Sequence, residues 1–111
     1  MFNLEGKKAF ISGASRGLGK QFANALAGAG ADIAITSRTL DSLDGTCNEV
    51  QALGKKCIPL KMDVLEEQSI IEAAQKAENE LGPIDILINN AGCNIRTVSY
   101  THLTLPTILL V

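Results

Sequence analysis

The residues of this chain best suited to chemistry are Ser12-Gly13-Ala14-Ser15-Arg16-Gly17-Leu18-Gly19. Glycines permit positive φ and let the backbone approach an anion with no Cβ in the way. Where such a run opens a helix, unpaired N–H groups and the positive end of the helix dipole face that anion. A glycine-rich turn with no ligand would look the same in isolation, so its setting decides. The run follows a short apolar stretch, Lys8-Ala9-Phe10-Ile11, and leads into an alanine-rich helical pattern from Lys20. Strand, glycine turn and helix in that order make a site for a dinucleotide pyrophosphate.

A second chemical signal is Ser37-Arg38, at the end of the next apolar run, where a dinucleotide fold reads the adenosine ribose. An acidic residue there would hydrogen-bond a free 2′-hydroxyl and favour NAD, whereas an arginine pairs with a 2′-phosphate and marks NADP. Arg16 adds a second cation on the same side. The plainer reading of Arg16 and Arg38 is solvated surface charge. The expectation is NADP ahead of NAD.

Apolar runs alternate with helical stripes along the chain that carries these groups. The strands read as roughly 7–12, 32–37, 56–62 and 84–89, with helices near 17–29, 40–53 and 66–81. The first helix shows Phe22, Leu26 and Ala29 on one face with Ala23 and Ala27 beside them. The second shows Leu40, Leu43, Cys47 and Val50, and the third Ile70, Ala74, Ala77 and Leu81. All fit a 3.6-residue period, and Gly82-Pro83 stops the third. Short gaps and strand–helix alternation imply right-handed βαβ units and a parallel sheet covered on both faces. The expected architecture is α/β, a Rossmann-type doubly wound parallel sheet limited to its first four strands and three helices, in strand order 3-2-1-4.

With 111 residues, 46% of them hydrophobic, the chain is one small domain at most. A formal net charge of −2 gives no reason to expect a nucleic-acid or membrane partner. The N-terminus carries no signal peptide and no apolar run is long enough to span a bilayer. Cys47, Cys57 and Cys93 lack C-x-x-C spacing and read as reduced cytoplasmic thiols filling the core. No metal site is expected, His102 being the single histidine and having no carboxylate cluster beside it.

These residues together resemble the short-chain dehydrogenase/reductase family. The family's T-G-x-x-x-G-x-G turn stands here as Ser12 through Gly19, serine replacing threonine and keeping the hydroxyl. Its N-N-A-G element is intact as Asn89-Asn90-Ala91-Gly92, and Asp63-Val64 matches the acidic position that contacts adenine. Taken alone, Asp63 could equally be a helix N-cap, and the asparagines could be turn formers. The resemblance covers residues 4 to about 96. It implies a cofactor site of Ser12, Gly13, Ser15, Arg16, Gly17, Leu18, Gly19, Ser37, Arg38, Asp63, Val64, Asn90, Ala91 and Gly92, and a small-molecule substrate. Within the family, Asn89 to Arg96 looks most like gluconate 5-dehydrogenases and related sugar-acid oxidoreductases, with 3-oxoacyl-[acyl-carrier-protein] reductases close behind. A non-catalytic dinucleotide-binding protein, or an inert truncated product, is the alternative of another class.

Hydride transfer in this family relies on a tyrosine acid/base, a lysine four positions later and a serine that positions the carbonyl. The single tyrosine, Tyr100, has Thr104 four residues on. The 111-residue chain is therefore expected to bind cofactor without turnover, the catalytic residues belonging to a longer, homo-oligomeric parent. Strand and helix signals stop after Arg96. Val98-Ser99-Tyr100-Thr101-His102-Leu103-Thr104-Leu105-Pro106-Thr107 matches one reading frame of a transposase-end adapter used in sequencing libraries, and the same frame continues through Ile108 to Val111 and a stop. The expected division is residues 1–96 as the N-terminal half of a dinucleotide-binding domain and 97–111 as a non-native tail. Such a chain lacks the parent's subunit interfaces and leaves its fourth strand with an open edge, an aggregation template that the tail could cover only by accidental pairing.

Overall fold

The structure is a computed structural model and describes residues 3–14, 17–63, 65–89 and 107–110. In chain order the elements are β1 (Lys8–Ser12), α1 (Gly17–Gly28), β2 (Asp32–Ser37), a short 3₁₀ helix (Leu40–Leu43), α2 (Asp44–Ala52), β3 (Cys57–Lys61), α3 (Glu67–Leu81), β4 (Ile86–Asn89) and β5 (Thr107–Leu110). The five strands form one sheet in the order β3-β2-β1-β4-β5, every pair parallel. The expected order 3-2-1-4 is therefore present, with a fifth strand added beyond β4. Strand β5 pairs Thr107 with Ile86 and Leu110 with Asn89. It lies in the stretch where the sequence shows no strand signal, and the span 90–106 exceeds the roughly dozen residues that a parallel crossover needs.

Two hydrophobic layers flank the sheet, as a parallel sheet requires. Side chains alternate along each strand, so Phe10, Ala34, Leu60 and Leu87 point to one face, where Ile70, Ala73, Ala74, Ala77 and Leu81 of α3 cover them. Ala9, Ile11, Ile33, Ile35 and Ile88 point to the other, against Ala23 and Ala27 of α1 and Cys47 and Val50 of α2.

The helix faces differ in detail from the periodic reading. In α1 the buried line is Gly19, Ala23 and Ala27, while Phe22 and Leu26 are half-buried flanks. Small residues four apart bring the helix axis close to the sheet, and the larger side chains wrap its sides. The helix expected over 40–53 is broken at Asp44. The Ser42 hydroxyl lies 2.7 Å from the Thr39 carbonyl, and the Asp44 N–H bonds Asp41 instead of continuing an α-helical ladder. A serine competing for backbone acceptors favours this tighter turn. Leu40 is consequently exposed at 46%, not part of the buried stripe, and Thr46 takes a fully buried place on α2.

The amino ends of the strands are bound by two aspartates. Asp85 accepts the Lys8 N–H at 3.0 Å, and its own N–H bonds the Lys8 carbonyl at 2.8 Å. Asp32 takes the Lys8 ammonium at 2.8 Å through one oxygen and the Lys56 N–H at 3.0 Å through the other. Partial burial pushes the Asp32 carboxyl up, but the Lys8 ammonium, the Lys56 N–H and the charge of Lys55 outweigh it and hold it below the usual range. The α1–β2 turn closes on the same side, with Gly30 at φ +114° and the Leu4 N–H bonded to the Ala29 carbonyl at 2.7 Å. A Cβ on Gly30 would lie 2.9 Å from the Glu5 backbone nitrogen, so both φ and space demand glycine. At the outer edge, β3 carries Pro59 and Lys61, residues that discourage a further strand from pairing.

Candidate functional site

The carboxyl ends of the strands come together at the opposite side of the sheet. Ser12 registers with Thr36 on one flank and Asn89 on the other, and Ser37 registers with Lys61. The chain winds from β1 outward through β2 to β3 and then returns to the far side of β1 as β4. The reversal point is thus the gap between β1 and β4, where an open α/β sheet leaves a crevice for ligands. The glycine turn follows β1 and the Asn-Asn-Ala-Gly run follows β4, so both lead out of strands bordering that gap.

The turn itself is built by backbone conformation. Gly13 at φ +69° and Gly17 at φ +63° occupy the left-handed region. Among the described residues nothing lies within 4 Å of a Cβ placed on Gly17, so glycine is needed there for its φ and the space beside it is open. The Gly13 and Ala14 N–H groups both bond the Thr36 carbonyl, at 3.1 and 3.2 Å, which ties the start of the turn to β2. From the other side, the buried Thr46 hydroxyl donates to the Ala14 carbonyl at 2.9 Å. The turn is therefore gripped at its base by two elements while α1 begins just beyond it. No acidic residue sits in the first turn of α1, leaving the positive end of its dipole uncompensated by its own helix. Gly19 is buried against the sheet, and Leu18 is 47% exposed beside the turn. The fully buried Thr36 hydroxyl has no hydrogen-bond partner among the described residues.

Toward β2, Ser37 is half-buried and Arg38 is exposed directly after the strand. The Ser37 hydroxyl lies 2.9 Å from that of Ser42, and Arg38 makes no ion pair among the described residues. Lys20 is by contrast engaged, 2.7 Å from Glu49. That contact, with Asn24 adding a hydrogen bond, holds the Glu49 carboxyl below its usual range despite some desolvation. Asp63 is half-buried after β3. Its side chain accepts the Leu65 N–H at 3.0 Å and its own N–H bonds the Ser69 hydroxyl at 2.9 Å. The residue thus shapes the turn into α3, whose N-cap position belongs to Glu66.

The structure brings Ser12, Gly13, Gly17, Leu18, Gly19, Ser37, Arg38 and Asp63 to the carboxyl end of the sheet. The assignments to Ser15, Arg16, Val64, Asn90, Ala91 and Gly92 lie outside the described residues, as does Tyr100. Sequence reasoning missed Thr46 and Ser69, polar residues on helices that hold the two loops. Thr46 left a signal, a hydroxyl on the apolar face beside Cys47 and Val50.

A sheet reversed between β1 and β4, with a positive-φ glycine turn feeding a helix at that point, defines a dinucleotide-binding α/β protein. The short chain dehydrogenase family matches residues 7–108, and the chain belongs to that oxidoreductase family. It is 40% identical over 96 residues to gluconate 5-dehydrogenase of Gluconobacter oxydans (strain 621H), covering 86% of this chain and 38% of the relative. To Ketoacyl reductase HetN of Nostoc sp. it is 44% identical over 95 residues, covering 86% of this chain and 33% of the relative. A short-chain type dehydrogenase/reductase from Mycobacterium marinum superposes with a TM-score of 0.80 at 40% identity, over 83% of this chain and 37% of that one. Solved relatives with bound cofactor include carveol dehydrogenase from Mycobacterium avium with NAD, at TM-score 0.78 and 30% identity over 86% of this chain and 39% of that one. A short chain dehydrogenase from Burkholderia cenocepacia with NADP has the same TM-score at 35% identity, over 82% of this chain and 38% of that one. The chain thus spans between a third and two-fifths of the length of these two curated relatives.

Proposed function

We propose that the chain is the cofactor-binding half of an NADP-preferring oxidoreductase acting on a small hydroxy or keto substrate, a sugar acid such as gluconate. The observation that carries this reading is the positive-φ turn at Gly13 and Gly17, set before an acid-free helix start with exposed Arg38 at the end of the neighbouring strand. Bound NADP would supply the hydride carrier. The N–H groups at the start of α1, residues 17–19, would hold the pyrophosphate with Gly13 shaping the turn before them, Arg38 and Arg16 would take the 2′-phosphate with Ser37 beside it, and Asp63 and Val64 would meet the adenine. Asn90, Ala91 and Gly92, next in sequence after β4, complete the cofactor site in this reading.

The likeness to gluconate 5-dehydrogenase supports the sugar-acid substrate, and the likeness to a ketoacyl reductase supports a 3-oxoacyl-thioester as the second reading. Turnover belongs to the longer parent, a cytoplasmic homo-oligomer carrying serine and Tyr-x-x-x-Lys, and the chain alone binds without reducing. Residues 97–111 are translated library adapter in this reading, supported by the frame match from Val98 to Thr107. Sequencing the native locus across the codons for Arg96 to Val98 tests that point: a frame continuing into Tyr-x-x-x-Lys supports it, and native DNA encoding Val98–Val111 overturns it.

Cofactor choice is tested by titrating NADPH and NADH against the chain. NADPH is expected to bind about ten- to a hundredfold tighter, because a charge-assisted hydrogen bond contributes about 1.5–3 kcal/mol. Arg38→Ala is expected to erase most of that difference. Equal affinities would end the NADP assignment, and failure to bind either would end the cofactor-half reading.

A further inference from the structure

Cys47 and Cys57, two of the cysteines read as core filler, come together; Cys93 lies outside the described residues. Cys47 lies on α2 and Cys57 opens β3, and both are buried, at 7% and 5% exposure. The Cys47 thiol donates to the Cys57 carbonyl at 3.4 Å, which brings the end of the α2 side chain onto the residue that opens β3. Both belong to the apolar layer that holds Ile33, Leu43 and Val50, and both are free thiols. Between them runs the exposed turn Leu53-Gly54, with Gly54 at φ +84°. From this geometry we infer that Cys47 and Cys57 form an oxidisable dithiol that closes to an intramolecular disulfide, bolting α2 to β3 behind the dinucleotide turn.

The oxidant is a peroxide. One thiol attacks the O–O bond, giving a sulfenic acid and releasing the alcohol, or water from hydrogen peroxide. The second thiol then displaces the hydroxyl, forming the S–S bond and releasing water, so the dithiol loses two electrons and the peroxide gains them. Burial pushes the Cys57 thiol well above its ordinary value, so closure is slow and proceeds through opening of the Leu53-Gly54 turn. The neighbouring residue, Thr46, holds the Ala14 carbonyl. A bond at Cys47 therefore constrains the same helical turn that grips the glycine loop.

The test uses the full chain carrying Cys93→Ser, oxidised with hydrogen peroxide in native buffer, acid-quenched, alkylated and mapped by mass. The expected result is a loss of two hydrogens, a linked Cys47–Cys57 peptide and no alkylation before reduction. Cys47→Ser in that background is expected to leave Cys57 unlinked and open to alkylation after denaturation. The same mapping after peroxide treatment of expressing cells reads the pair without purification. Two free thiols in both settings, links only between chains, or a link formed only in urea-unfolded chain would each overturn the assignment.

Discussion

The two ends of the sheet are built from opposite materials. At the amino end, Asp85 and Asp32 meet backbone N–H groups and the Lys8 ammonium, so that carboxylates close the ladder where β1, β2 and β4 begin. At the carboxyl end no acid enters the first turn of α1, and the turn is shaped by Gly13 and Gly17 and tied down by the Thr36 carbonyl and Thr46 hydroxyl. At the amino end the protein's own carboxylates meet backbone N–H groups of the strands; at the carboxyl end Asp63 meets the Leu65 N–H, while the first turn of α1 has no acid of its own.

If the two ends are independent, a change at one leaves the other untouched. The largest expected effect is Gly30→Ala at the amino end, where φ +114° and the 2.9 Å approach to Glu5 act together. A loss of about 2–4 kcal/mol in urea unfolding is expected, with NADPH affinity of the folded fraction unchanged. At the carboxyl end, Thr46→Val removes the hydrogen bond to the Ala14 carbonyl and is expected to cost about 1–2 kcal/mol. Its distinguishing readout is a several-fold weaker NADPH affinity, which a change with purely structural consequences would leave alone.

The smallest effect is a pH dependence confined to the amino end. The Asp32 carboxyl is held below its ordinary value, so the folded state binds fewer protons than the unfolded chain as both titrate. That contribution is fully present above about pH 4 to 5 and is lost as pH falls through the folded-state value. For a pair this accessible it amounts to less than about 1 kcal/mol. Acid titration of stability should show a shallower fall in Asp32→Asn than in the parent chain, and an unchanged curve would remove Asp32 from the account.

Strand order and the location of the glycine turn were legible because period-2 and period-3.6 patterns and short gaps leave few topologies for a parallel sheet. Asp63 was legible as a position and ambiguous in role, since its type suits an adenine contact and a turn alike. The structure shows it organising the approach to α3. The break at Asp44 was not legible: Leu40, Leu43, Cys47 and Val50 keep helical spacing, and the Ser42 contact with the Thr39 carbonyl that tightens the first turn has no hydrophobic signature. The meeting of Cys47 and Cys57 was likewise hidden, because a helix and the following strand fix that contact through packing, not through spacing. Strand β5, paired in parallel along β4, was not anticipated from the sequence.

Pro59 gives the sheet a direction of growth. Like a terminator at one end of a polymer, the proline and Lys61 on β3 cap that flank against further strands. A strand added to this sheet would have to pair beyond β4, the flank on which β5 lies, and β3 stays at the far edge from it.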